Sequence, residues 1–334
     1  MNLLGEDNIL EVKNLSVTFK ENNNLAVNDV SFNLKNGETL AVVGESGCGK
    51  SVTCLSLGRL IDQDAISKID GEILIKVDKN NYINTIKASE RELRNLRSSK
   101  ISYIFQEAAT SLNPVFRIGD QISEAIRIDH KKHLSIEEEI IRLLNIVKIP
   151  EPHKKIHCYP HELSGGMQQR VMIAMSLACK PDILIADEPT TALDVTIQSQ
   201  IISLLKDIKV QEEMSILIVT HNLGLVVDFA DRVLVMYAGQ IVETASVRKL
   251  FNAPMHPYTK ALLNAVPTLR RGRVALKTIP GIVPSILKKE ENCNFKDRCE
   301  VYNKLTSIDK LKCTTCKPPL IECASGHFVR CHFA

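Results

Sequence analysis

The chain has 334 residues, of which 44% are hydrophobic, and 42 Lys and Arg against 39 Asp and Glu leave a net charge of +3. That length suits roughly two domains with a sizeable core, and so balanced a charge gives no electrostatic reason to expect nucleic acid or an anionic membrane as partner. Residues 1–7 carry early acids and no basic-then-apolar pattern. The longest uncharged, apolar-leaning run, Met214 to Val227, contains His221 and Asn222, so neither an ordinary signal peptide nor a spanning helix is expected, and the chain is expected in the cytosol. Ten cysteines are many for that compartment, and six of them lie between Cys293 and Cys331. Such clustering under reducing conditions points to metal or cluster ligation before disulfides.

Residues 9–19 alternate apolar and polar side chains, and residues 26–34 do so again, which predicts a strand pair with one solvated face. Asn36-Gly37-Glu38 turns into a strand over 39–43. This strand runs into Gly44-Glu45-Ser46-Gly47-Cys48-Gly49-Lys50-Ser51, followed by Val52 and a helical pattern to about Leu60. The stretch matches G-x-x-x-x-G-K-[ST] in the strand-to-helix context that the motif requires. Its glycines let backbone N–H groups wrap a β-phosphate, Lys50 would neutralise β/γ oxygens, and Ser51 offers a hydroxyl to Mg²⁺. Cys48 fills a variable position, where its thiol is open to alkylation or oxidation without a required part in chemistry.

A further strand is predicted over 72–77, a solvated basic helix over 91–100, and a strand over 101–105 that ends at Gln106. Residues 115–162 read as mostly helical, with Ile118, Ile122, Ala125 and Ile126 at helical spacing. Ser164-Gly165-Gly166 then precede a helical pattern over 167–179, placing N–H groups and a hydroxyl at a helix N-terminus, a site suited to phosphate. The run Ile183-Leu184-Ile185-Ala186-Asp187-Glu188 reads as a buried parallel strand delivering two carboxylates at its C-terminal end. Asp187 is placed to hold Mg²⁺ and Glu188 to poise a water. An amphipathic helix over about 196–210, a strand over 215–219 leading to Thr220-His221, and two short strands about Ala238-Gly239 complete this part.

In this order the motifs resemble those of the nucleotide-binding subunits of ABC transporters. The resemblance rests on the P-loop, on Leu163-Ser164-Gly165-Gly166-Met167-Gln168-Gln169-Arg170, on Asp187-Glu188-Pro189 and on Ala192-Leu193-Asp194. It implies an α/β, ABC-type P-loop NTPase fold over residues 1–250, with a RecA-like core sheet, an antiparallel β subdomain and a helical subdomain inserted at about 107–165. ATP and Mg²⁺ are the implied cofactors. Phe19 falls where the family stacks an aromatic, more often Tyr, on adenine. Gln106 falls where a glutamine touches Mg²⁺ or the attacking water, and His221 where a histidine reaches the γ-phosphate. Ser164, Gly165, Gly166 and Asp194 would close on nucleotide held by a partner ATPase subunit. Residues 108–114 resemble the loop that importer ATPases place near their membrane subunits.

From about Phe251 the composition changes, and Pro254, Pro257, Pro267, Pro280 and Pro284 punctuate the chain, so 251–334 is expected to form a distinct Cys-rich extension. His256-Pro257-Tyr258-Thr259-Lys260-Ala261-Leu262-Leu263 resembles a segment of oligopeptide, dipeptide and nickel importer ATPases, nearest to the dipeptide/oligopeptide kind. The tail, with Phe295 and Arg298 between Cys293 and Cys299, resembles a four-cysteine pattern that holds a [4Fe-4S] cluster. That pattern maps onto Cys293, Cys299, Cys313 and Cys331, with Cys316 competing for the third place through Cys313-Thr314-Thr315-Cys316. Four thiolates also suit Zn²⁺. The resemblance further implies a second, similar ATPase subunit, two transmembrane permease subunits, an extracytoplasmic substrate-binding protein and a peripheral place on the inner face of the membrane. Nickel import, or a soluble ABC ATPase acting on nucleic acid or ribosomes, are the other readings.

Overall fold

The computed structural model describes residues 7–78, 81–128, 135–191, 193–265, 279–284 and 291–334. Residues 1–6, Ala192 and Pro267 lie outside the described residues. Among the described residues no helix is long and apolar enough to cross a membrane.

The N-terminal alternation becomes β1 (Asn8–Phe19), paired antiparallel with β2 (Leu25–Lys35), with Val12 opposite Phe32. Leu10 and Val12 are buried, then Leu15 and Val17. The parity changes because the register shifts between Val12 and Leu15, where Asn14 adopts φ 50°. The bulge turns the second half of the strand so that its apolar side chains still face the core. After β3 (Thr39–Val43) come β4 (Ile66–Lys76) and β5 (Tyr82–Asn84), and β2-β1-β4-β5 form a four-stranded sheet.

The remaining strands are β6 (Ile101–Ile104), β7 (Ile183–Asp187), β8 (Ser215–Thr220), β9 (Arg232–Tyr237), β10 (Gln240–Ser246), β11 (Ile321–Ala324) and β12 (His327–Val329). With β3 they make an eight-stranded sheet in the order β11-β12-β10-β9-β3-β8-β7-β6. β6, β7, β8, β3 and β9 run parallel. Ile183, Leu184, Ile185 and Ala186 are wholly buried, as expected of a parallel strand covered on both faces.

The helical insertion contains Ile118–Ile128 and Ile136–Ile146, which pack on Gly165–Leu177. Ile118, Ile122 and Ile126 form the inward stripe that their spacing predicts, while Ala125 is half-buried.

The C-terminal segment joins the core sheet, because β12 pairs antiparallel with β10 through Glu243↔Val329 and Thr244↔Phe328. Glu243 is completely buried at this seam. Its carboxylate accepts from the N–H groups of Met255 at 2.8 Å and His256 at 2.9 Å, and lies 2.7 Å from His327 Nε2. Glu243→Ala leaves the His256 N–H and the His327 ring buried and unsatisfied. It is expected to lower the unfolding free energy by about 3 kcal/mol, seen as a fall in the urea midpoint at unchanged m-value.

Candidate active site

The loop over residues 44–51 is held open by its glycines. At Gly44 (φ +155°) a Cβ would collide with the Met236 carbonyl oxygen, and at Gly49 (φ +91°) with that of Ala26, so the strands beside the loop leave room only for backbone. Ser46 and Gly47 are exposed. Helix Lys50–Leu57 starts directly after Gly49. Lys50 is buried, and its Nζ donates to the carbonyl oxygens of Gly44 at 3.0 Å and Glu45 at 2.9 Å. Cys48 is fully buried and burial pushes its thiol pKa up. The access that the sequence left open to modifying reagents is therefore closed, and only the Cys48 backbone is available to a ligand. Val52 is half-buried on the first turn of the helix.

The Ser51 side chain lies beside the Asp187 carboxyl and favours its ionised form. Burial pushes the Asp187 carboxyl above its ordinary range; Ser51 and Lys50 oppose that and the neighbouring Glu188 charge adds to it. One carboxylate oxygen, Asp187 Oδ1, is buried with no hydrogen-bond partner. A buried anionic oxygen beside a hydroxyl suits Mg²⁺, a hard cation that takes oxygen ligands.

Glu188 follows in the left-handed region at φ 46°, with its N–H bonded to the Val219 carbonyl at 2.9 Å. A single oxygen, Glu188 Oε2, lies 3.3 Å from Gln106 Nε2, 2.8 Å from Thr191 Oγ1 and 3.1 Å from His221 Nδ1. Gln106, Glu188 and His221 are thus brought together. Thr191 was missed by sequence reasoning; its signal is only a hydroxyl three residues beyond the carboxylate.

Phe19 is half-buried against the core at the end of β1. Nearby in the chain, Asn24, Leu25 and Ala26 line a cavity of about 590 Å³ with Glu45, Ser46, Gly47, Ala238, Gly239 and residues 281–284. Ser164 caps helix Gly165–Leu177, its hydroxyl accepting from the Met167 N–H, and Asp194 caps helix Val195–Gln211 in the same way through the Ile197 N–H. Ser164, Gly165 and Asp194 are exposed and Gly166 is half-buried, so this surface faces outward. Gly166 lies where a Cβ would approach Ile197 Cγ2 to 2.9 Å.

Cys293, Cys299, Cys313 and Cys331 line one small cavity with Phe295 and Phe333. Cys316 and Cys323 are exposed, so Cys313 is the member of the C-x-x-C pair that faces the other three. Burial, with the charges of Cys313, Cys331 and Cys299 adding to it, pushes the Cys293 thiol up to about 12. Even so, among the described residues no three His, Cys, Asp or Glu side chains form a group able to hold a metal ion.

A family profile described as "ABC transporter" matches residues 27–191, and one described as "Oligopeptide/dipeptide transporter, C-terminal region" matches residues 242–304. The chain is 45% identical to the probable peptide ABC transporter ATP-binding protein y4tR of Sinorhizobium fredii, over 97% of this chain and 95% of that protein. The chain belongs to the ABC transporter ATP-binding proteins. Another member of that family, the dipeptide transport ATP-binding protein DppD of Bacillus subtilis, is 44% identical over 91% of this chain and 90% of its own length. Among solved structures, the dimeric post-hydrolysis state of the ATP-binding cassette MJ0796 bound to ADP and Pi superposes with a TM-score of 0.62. The sequences are 28% identical, and the match covers 72% of this chain and 99% of MJ0796.

For this ABC ATPase chain, Asp187→Asn removes a buried charge from the protein while removing a candidate Mg²⁺ ligand. Because the folded-state pKa is raised, ionised Asp187 costs stability above that pKa, and the cost vanishes as pH falls into the ordinary carboxylate range. The variant is expected to unfold at a higher urea midpoint than the parent at pH 7 without nucleotide, by a margin that shrinks on acidification. It should also gain less stability from added MgATP.

Proposed function

We propose that this chain is the ATP-hydrolysing subunit that powers import of di- or oligopeptides across the cytoplasmic membrane, within a multi-subunit ABC transporter. The observation that carries the catalytic part is the meeting of Gln106, Thr191 and His221 on one oxygen of Glu188, next to the Ser51–Asp187 pair. The cargo reading is supported by the match of residues 242–304 to the oligopeptide/dipeptide transporter region and by the names of the two relatives. It is favoured over nickel import and over a soluble ABC ATPase for that reason. Residues 1–250 would form the nucleotide-binding part and 251–334 the importer-type extension.

In this reading the N–H groups of residues 44–52 hold the β- and γ-phosphates, and Lys50 turns from the Gly44 and Glu45 carbonyls to phosphate oxygens. Ser51, Asp187 and Gln106 would hold Mg²⁺, which supplies charge neutralisation at the β/γ bridge when bound. Glu188 accepts a proton from the water whose oxygen forms the new bond to the γ-phosphorus as the bond to ADP breaks. Gln106, Thr191 and His221 keep that carboxylate aimed, and His221, largely exposed, reaches toward the γ-phosphate. Phe19 packs on the adenine. The outward Ser164-Gly165-Gly166 helix terminus and Asp194 complete the site on the partner ATPase, and N–H groups at such a terminus favour an anion.

A second ATPase subunit, two permease subunits and an extracytoplasmic binding protein complete the assembly, with this chain peripheral on the inner membrane face and no nucleic acid as partner. The exposed Val115 and Phe116, beside residues 108–114, suit contact with a permease. Cys293, Cys299, Cys313 and Cys331 are the ligands we assign to a [4Fe-4S] cluster. Their shared cavity supports it, and four thiolates would suit Zn²⁺ as the alternative. Four thiolates need a cationic centre to offset their mutual repulsion, and the group would brace the fold. Anaerobically purified protein is expected to contain near-stoichiometric iron and sulfide, and protein lacking both would overturn the assignment.

Glu188→Gln is expected to reduce ATP turnover about a thousandfold while ATP still binds, as read by steady-state phosphate release and nucleotide titration. Unimpaired hydrolysis would remove Glu188 from its role. Lys50→Ala should instead weaken binding itself in the same titration.

A further inference from the structure

Arg298 sits in the short turn Lys296–Arg298, between Cys293 and Cys299. Its guanidinium nevertheless donates to both carboxylate oxygens of Glu45, 253 residues away in the phosphate-binding loop, at 2.8 and 3.0 Å. The Arg298 side chain is only 6% exposed. Its Nε donates to the Pro280 carbonyl at 2.7 Å, and its guanidinium lies 5.6 Å from the centre of the Tyr237 ring. Glu45 is tied at its backbone too. Its N–H donates to Tyr258 Oη at 2.9 Å, and its carbonyl accepts from Lys50 Nζ.

A carboxylate in a loop that receives a polyphosphate is an electrostatic problem. Glu45 lines the same cavity as Ser46 and Gly47, and at low effective dielectric an uncompensated anion there opposes further negative charge. A bidentate arginine is the side chain best suited to cancel it while fixing its direction. The extension does not need this pair for attachment alone, since Phe295 and Tyr258 pack on Tyr237 at 5.1 and 4.7 Å, and β12 pairs with β10.

We propose that Arg298 is a positioning residue for nucleotide binding, which neutralises Glu45 and holds the phosphate-binding loop from the C-terminal extension. ATP affinity then depends on an element outside the ATPase motifs. The inference rests on the reading of residues 44–52 as the ATP site.

The test is the steady-state kinetics of the full chain assembled with its partner subunits, varying MgATP. Arg298→Ala is expected to raise KM for MgATP about tenfold, which is one decade of affinity, with kcat within about threefold of the parent. Adding Glu45→Gln to that variant should return KM to within about threefold of the parent, because the uncompensated charge is gone. An unchanged KM in Arg298→Ala overturns the proposal. So does a raised KM that Glu45→Gln fails to relieve, since that marks simple detachment of the extension. Should Arg298→Ala not fold, Glu45→Gln alone decides: a KM at or below the parent's supports the proposal and a higher one overturns it. A parent assembly that does not hydrolyse ATP would instead defeat the underlying ATPase reading.

Discussion

The order of four parallel strands is the constraint on which the site depends. Gln106 lies just beyond β6, Glu188 beyond β7, His221 beyond β8 and the phosphate-binding loop beyond β3. These strands are consecutive neighbours in the sheet. Parallel pairing puts every C-terminal end on the same edge, where open α/β sheets bind ligands. Residues 106, 188 and 221 therefore meet without long side-chain excursions, and one oxygen of Glu188 takes polar contacts from both neighbouring strand ends. The left-handed backbone at Glu188 turns the chain at the strand's end, and the bond from its N–H to Val219 holds that turn against β8. Local strain of this kind persists only where the surroundings fix it.

The same arrangement separates the two surfaces proposed to face phosphate. In the loop around Lys50 the lysine is buried and bonded to carbonyls of its own loop, while Ser46 and Gly47 are exposed. The surface around Ser164 and Asp194 is exposed at two helix N-termini. A single chain offers both halves outward, and a pair of such chains arranged head to tail would use both. This is the proposed source of coupling between nucleotide and subunit closure.

Elements with local signatures were legible in the sequence. Residues 39–43 became a buried parallel strand at the expected bounds, and the run 183–188 did so up to Asp187, with Glu188 just beyond the strand. The cap at Ser164 was legible because a small polar residue before a helical pattern has a direct physical meaning, whereas the cap at Asp194 emerged only with the fold. What escaped was non-local. β12 is three residues long, too short for periodicity, so nothing in residues 327–329 announces their pairing with β10. Nothing in the local sequence marks Glu243 as buried, and the packed tail makes it a buried acceptor. The Arg298–Glu45 pair likewise links two unremarkable positions that chain distance hides. Cys48 was misread for exposure because loop membership suggests access, whereas its side chain turns into the core beneath the loop.

The central claim is that nucleotide chemistry at Glu188 drives peptide entry. Its most direct test is uptake of labelled dipeptides, longer peptides and Ni²⁺ in cells whose only copy of the transporter carries either the parent chain or Glu188→Gln. The account predicts peptide uptake with the parent, its loss with the variant, and Ni²⁺ uptake equal in both. Loss of Ni²⁺ uptake alone, or peptide uptake that persists at the parent rate in the variant, would contradict it.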